Sequence, residues 1–255
     1  MENALIFDSH AHYDDAKFDL IREEILAKMP ENNVCGIINC GTDISTSLMS
    51  INLAENFPFI YAAIGYHPES VNDTTVFEKD KLIELSKNKK VVAIGEIGLD
   101  YYWDTSFKTN QIDFFEKQLF LAKKLDLPVI IHDRDAHGDT LEILKKHQPK
   151  GVLHCFSGSI EMAREIIKLG LYIGVGGVIT FKNSKKLVEI VKEIPLERIL
   201  LETDAPYLAP EPYRGKTNNS AYILRVAEKI AEIKSITTKD VLSVTTKNVK
   251  ALFNI

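Results

Sequence analysis

A chain of 255 residues with 45% hydrophobic and 26% charged side chains has the apolar content to bury a large core. Its formal net charge of −5 excludes a globally basic surface for gripping long duplex nucleic acid, so any such contact has to be local. Three cysteines without a CxxC pair, no secretory leader and no apolar run approaching ~20 residues point to a cytoplasmic protein, neither exported nor inserted in a membrane.

The first element is the run ALIF (4–7), which leads directly into Asp8-Ser9-His10-Ala11-His12. On a strand, residues two apart point to the same side, so His10 and His12 project together. Two readings stand open at this point: a polar turn after a buried strand, or half of a metal site. A charged helical stretch, FDLIREEILAKM (18–29), follows, and then a second apolar run, VCGIIN (34–39). The helix predicted over 44–57 has Asp43 and Ser45 as candidate N-caps. The third run, FIYAAIG (59–65), exits at His67-Pro68 and precedes a helix over 77–88. The fourth, VVAIGEIG (91–98), carries Glu96. In the helix after it (110–126), Ile112, Phe115, Leu119 and Ala122 fall at helical spacing, with Asn110 as the expected N-cap. LPVIIH (127–132) exits at His132 and Asp133, and GVLHCF (151–156) contains His154. Between and after them lie helical stretches over 139–147 and 159–170. LYIGVGG (171–177) ends in glycines, a helix covers 183–194, and RILLET (198–203) exits at Glu202-Thr203-Asp204. Two further helices are predicted over 220–233 and 237–253.

Short apolar strands alternating with amphipathic helices imply parallel βαβ units, and eight of them imply a closed (β/α)8 TIM barrel spanning 1–255 as one domain. An open doubly wound sheet is the alternative, but DSHAHYD stands where that fold carries GxGxxG. In such barrels the chemistry lies at the C-terminal strand ends. Five of the seven histidines (His10, His12, His67, His132 and His154) fall there, while His137 and His147 read as helix-surface residues. Four histidines and two carboxylates on one rim need many polar partners unless a metal pair organises them.

The stretches DSHAHYDD, AIGYHPES, VAIGEIGLDYYWD, LPVIIHDRDA, GVLHCFSGS and LLETDAPYLAPEPYRGKTNNS, in this order, resemble the TatD family of metal-dependent hydrolases. The helical tail after them is similar to that family's C-terminus, so the resemblance covers nearly the whole chain. It implies a barrel with two divalent metal ions that hydrolyses phosphodiesters, typically in DNA. Carried over by position, His10, His12, Glu96 and Asp204 hold one ion, and Glu96, His132 and His154 the other. One departure is visible: the family usually reads RGKxNxP, and here RGKTNNS places Ser220 at the proline position, which bears on the substrate contacts of that loop.

A two-metal clamp fits in-line displacement at phosphorus, with Asp204 as the expected proton acceptor for the attacking water. Glu202, two residues earlier, is read as facing the same way. It then supports a histidine, shares the base role, or is a structural carboxylate bound to a backbone amide. Imidazoles favour Zn, Mn or Co, whereas Mg prefers oxygen ligands, so the ion's identity stays open. His67, Arg134, Arg214 and Lys216 are candidate phosphate contacts. For His67 the alternative is packing against Tyr66, and for Arg214 an ion pair with Glu211. Tyr101-Tyr102-Trp103 either stack on an unpaired base or cap the barrel. Nucleic acid, as ends or single strands, is the expected substrate, and no obligate protein partner is evident. Three alternatives stand beside it: hydrolysis of a small ester, amide or lactone, hydrolysis of aminoacyl-tRNA, and a metal-loaded scaffold without turnover.

Overall fold

The computed structural model describes residues 5–255. Eight parallel strands form one sheet in sequence order: β1 (Ile6–Ala11), β2 (Val34–Cys40), β3 (Ile60–Ile64), β4 (Val91–Asp100), β5 (Val129–Arg134), β6 (Gly151–Leu153), β7 (Tyr172–Val175) and β8 (Ile199–Leu201). All eight apolar runs become strands; only Ala4 of the first lies outside the described residues. The sheet closes sparingly. The segment after β8 meets β1 through one bridge, Ala11 to Ala205. Three hydrogen bonds reinforce it: Ser9 Oγ to the Leu201 carbonyl (3.0 Å), Asp204 N to His10 O (3.0 Å) and His12 N to Ala205 O (2.7 Å).

The helices between strands are α1 (Arg22–Ala27), α2 (Ile44–Asn56), α3 (Lys79–Leu85), α4 (Lys108–Leu125), α5 (His137–His147), α6 (Ile160–Lys168) and α7 (Lys185–Glu193); α8 (Ile223–Lys234) and α9 (Thr238–Phe253) follow β8. α1 is shorter than expected because 3-10 turns flank it at Ala16–Phe18 and Pro30–Asn32. Asp43 caps α2 in a reciprocal capping box with Thr46, so Ser45 is not the cap. Asn110 is not a cap either: α4 starts at Lys108 after Phe107, and no side chain satisfies its first amides. Among the described residues no helix is long and apolar enough to cross a membrane.

Strand side chains alternate between two apolar clusters. Ile37, Ile60, Ile64, Ile94, Ile131 and Ile173 pack outward under the helices. Phe7, Ile38, Ala63, Ala93, Ile130 and Leu200 form the second cluster, together with Val249 and Phe253 of α9. Cys35, Tyr61 and Tyr172, at the N-terminal strand ends, pack against it, so α9 stoppers that end of the barrel. Gly36 is required here, since the Phe7 ring occupies the space a Cβ would fill. The opposite end is left to polar residues.

Candidate metal centre

That polar end surrounds a cavity of about 1050 Å³, lined by His12, His67, Glu96, His132, His154 and Asp204 among others. Glu96 is at its centre, nearly fully buried on β4. Its Oε2 lies 3.2 Å from Nε2 of both His10 and His12. Its Oε1 lies 2.9 Å from His132 Nδ1, 2.7 Å from His154 Nε2 and 3.4 Å from His67 Nε2. Asp204 Oδ1 completes the first group, 3.6 Å from Nε2 of His10 and of His12. The i, i+2 reading of β1 is met directly: the two Nε2 atoms are 2.9 Å apart.

The donor chemistry fits a cation. His12 Nδ1 is 2.9 Å from the Cys40 carbonyl, which can only accept. Nδ1 therefore carries the hydrogen, and Nε2 of the neutral ring turns a lone pair toward Glu96. His132 is reversed: Nε2 sits 2.9 Å from Asp100 Oδ2, leaving the Nδ1 lone pair toward the other Glu96 oxygen. Lone pairs facing a carboxylate repel unless a proton or a metal lies between them. Ligands ~2.0–2.2 Å from one tetrahedral ion stand about 3.3–3.6 Å apart, and the 3.2 and 3.6 Å spacings among His10, His12, Glu96 and Asp204 come close to that. Burial works against charge on His12 and His132, yet the carboxylates around them prevail and carry both imidazoles up to about 10. Burial likewise opposes charge on Glu96, but the surrounding imidazoles hold it well below the usual carboxylate range. Among the described residues, two buried side-chain polar atoms lack a partner, His154 Nδ1 and Glu202 Oε2, and both lie behind this donor set.

Glu202 departs from expectation. β8 stops at Leu201, and Asp204 takes a left-handed φ of 56°, which breaks the strand alternation. Asp204 therefore lines the cavity, while Glu202 turns behind His154, its Oε1 3.8 Å from His154 Nδ1 and bonded by the Cys155 amide. Burial pushes Glu202 up to about 8. It backs the His154 ring and does not line the cavity. Gly174 makes room for it: the Glu202 carboxyl occupies the space where a Cβ would be.

The loop after β8 is tied to β1 through buried Asp8, which accepts from His10 N (3.2 Å), Thr203 N (3.0 Å), Thr203 Oγ1 (2.6 Å) and Ser220 Oγ (2.7 Å). Burial outweighs these donors and lifts Asp8 to about 6. Because Ser220 Oγ donates to Asp8, Tyr13 Oη must donate to Ser220 Oγ (2.9 Å), and it accepts in turn from Ser220 N (2.9 Å). The departure at Ser220 thus serves the framework that holds His10 and Asp204. It does not reach the cavity.

Of the expected phosphate contacts, His67 and Arg134 line the cavity. Arg214 does not: its guanidinium lies flat on Phe181, 3.8 Å from the ring centre, off the site. Lys216 lies by Tyr213. Tyr101 is a packing residue, its hydroxyl donating to Asp139 Oδ2 at 2.8 Å, whereas Tyr102 and Trp103 are exposed. His137 pairs with Asp133 (2.7 Å) and His147 with Glu116 (3.1 Å), both outside the donor set. Sequence reasoning missed Asp100, although it stands four residues after Glu96 on the same strand parity.

The model of the family described as TatD related DNase matches residues 7–254. The chain is 46% identical over 254 residues to an uncharacterized metal-dependent hydrolase, YabD, of Bacillus subtilis, covering 98% of this chain and all of that one. It is 36% identical to YcfH of Escherichia coli K12, which carries the same description, over 98% of this chain and 96% of YcfH. The crystal structure of YjjV, a TatD homolog from E. coli, superposes with a TM-score of 0.91 at 34% identity, covering 98% of both chains. Strand order, barrel and family match agree: the chain belongs to the family of TatD-related DNases.

Proposed function

We propose that the protein is a metal-dependent phosphodiesterase of the cytoplasm that cleaves DNA at free ends or in single strands. Glu96 carries this reading. Each of its oxygens faces a different group of imidazole nitrogens, Oε2 with His10 and His12, Oε1 with His132, His154 and, at 3.4 Å, His67. A carboxylate so placed would serve two divalent ions at once, with Asp204 completing the set that His10 and His12 would hold. The family's description as DNases and the relatives' description as metal-dependent hydrolases support the same reaction class. Divalent ions (Mg, Mn, Zn or Co) held there supply Lewis acidity toward a phosphate oxygen and acidify water to near neutral pH.

The chain's own residues do the rest. Asp204 faces the cavity, and burial raises its carboxyl, which makes it the better proton acceptor for attacking water. His67 Nδ1 accepts from the Glu69 amide (3.1 Å), so the neutral ring carries its hydrogen on Nε2, toward Glu96 and the cavity, and donates to a phosphate oxygen. Arg134 neutralises phosphate charge at the rim. Asp100 sets the orientation of His132 through its hydrogen bond, and the Glu202 carboxyl backs the His154 ring.

The test is turnover by protein loaded with one divalent ion at a time. The substrates are single-stranded and duplex DNA, RNA, simple esters and aminoacyl-tRNA. DNA cleavage abolished by chelator and restored by the ion is expected. Turnover confined to esters or aminoacyl-tRNA, or none at all, overturns the reading.

A further inference from the structure

β4 and β5 leave the barrel side by side, with Asp100 opposite Arg134 in the ladder. Tyr102 and Trp103 follow Asp100 at the cavity rim and are 52% and 67% exposed. Trp103 lines the cavity. The two rings meet edge to face at 4.7 Å. The Arg134 guanidinium lies on Tyr102, 3.7 Å from the ring centre, and 5.2 Å from that of Trp103. Among the described residues no carboxylate lies within ion-pair distance of it, so the two rings are its close partners. On the far wall Tyr207 and Leu208 are also exposed, so solvent-facing apolar surface gathers at this mouth.

We propose that Trp103 and the Tyr102-supported Arg134 form a nucleotide shelf beside the metal donors. Trp103 stacks on an unpaired base, and Arg134 holds the neighbouring phosphate. The inference rests on the DNA reading and deepens it. A paired base has its faces covered by its neighbours; only a frayed or single strand can offer one to the indole. The shelf is also next in sequence to the residues that hold His132. A base seated there leaves its phosphodiester within the cavity that Glu96 and Asp204 line.

Trp103 is the only tryptophan of the chain, so its fluorescence reports stacking directly. Metal-loaded protein is titrated with a phosphorothioate thymidine oligomer that resists cleavage, and with an abasic oligomer of equal length and charge. Saturable quenching by the first and none by the second is expected. Trp103→Ala should weaken the base-bearing oligomer about 5- to 100-fold and leave the abasic one unchanged, while Trp103→Phe retains most of the affinity. Arg134→Gln should weaken both and lower the salt slope by about one. Binding without quenching, no binding, or Trp103→Ala binding both oligomers like wild type overturns the shelf. Cleavage of ordinary strands is read separately. Cleavage without quenching removes the shelf and leaves the DNA reading. Quenching without DNA cleavage under any ion removes that reading and keeps a nucleotide site.

Discussion

At Glu96 several imidazole nitrogens approach two carboxylate oxygens, and the electrostatics of that contact decides how the site responds to substitution and to pH. Asp100→Ala frees the His132 ring without touching the donors, and should cost about 10- to 100-fold in metal affinity or activity. Glu96→Ala should cost more than that, because it disturbs both donor sets; titration calorimetry with Mn or Zn and initial rates check the order. If Glu96→Ala kept near-normal activity at saturating metal, the bridged arrangement would be wrong. Without a cation His12 and His132 retain protons up to about 10. A divalent ion has to displace those protons, so uptake releases them and affinity rises with pH until about 10. Calorimetry in buffers of different ionisation heat measures that release, and pH-independent uptake would contradict it. Most of these donors could be read from the sequence because strand exits are short and histidines are rare. Asp100 was missed: its parity with Glu96 on β4 was legible, but its role depends on the His132 ring that only the fold brings against it.

Between elements, barrel closure and the site share the same bonds. β1 is joined to β8 and the segment after it by one bridge and a few hydrogen bonds, and Asp8 with Ser220 and Thr203 adds to them. Ser220→Ala removes a buried donor to Asp8 and should lower unfolding stability by about 1–3 kcal/mol in urea melts. Ser220→Pro also removes the amide bonded to Tyr13 and should cost at least as much; unchanged midpoints for both would show that the Asp8 contact contributes nothing. Gly174→Ala sets a methyl where the Glu202 carboxyl lies. Overpacking there should cost about 1–3 kcal/mol and lower activity by shifting His154. A variant as active and as stable as wild type would detach Glu202 from His154. The strands were legible because residues buried on both faces read as continuous apolar runs. The end of β8 was not: period-two alternation places Glu202 beside Asp204, and only the left-handed backbone at Asp204 separates them.

For the whole molecule, a net charge of −5 gives little general attraction to a duplex, and the donors lie inside a cavity rather than on a ridge. Relaxed closed circular DNA should therefore resist cleavage at salt concentrations where linear duplex and single strands are degraded. Rapid internal cutting of closed circles, with no advantage for free ends, would refute the preference for ends.

The order of apolar and amphipathic segments by itself determined the eight-stranded parallel barrel and which end bears the chemistry. That pattern is a hydrophobic-burial code, repeated along the chain and readable locally. Tertiary structure alone decided which polar side chains meet. Arg134 and Arg214 are the same residue type, one ending β5 and the other in the loop after β8. Yet one lies on Tyr102 at the cavity and the other on Phe181 away from it. Ser220, an unremarkable serine in sequence, closes on Asp8, 212 positions away. Such pairings depend on where folded loops cross, and composition and periodicity carry no information about that.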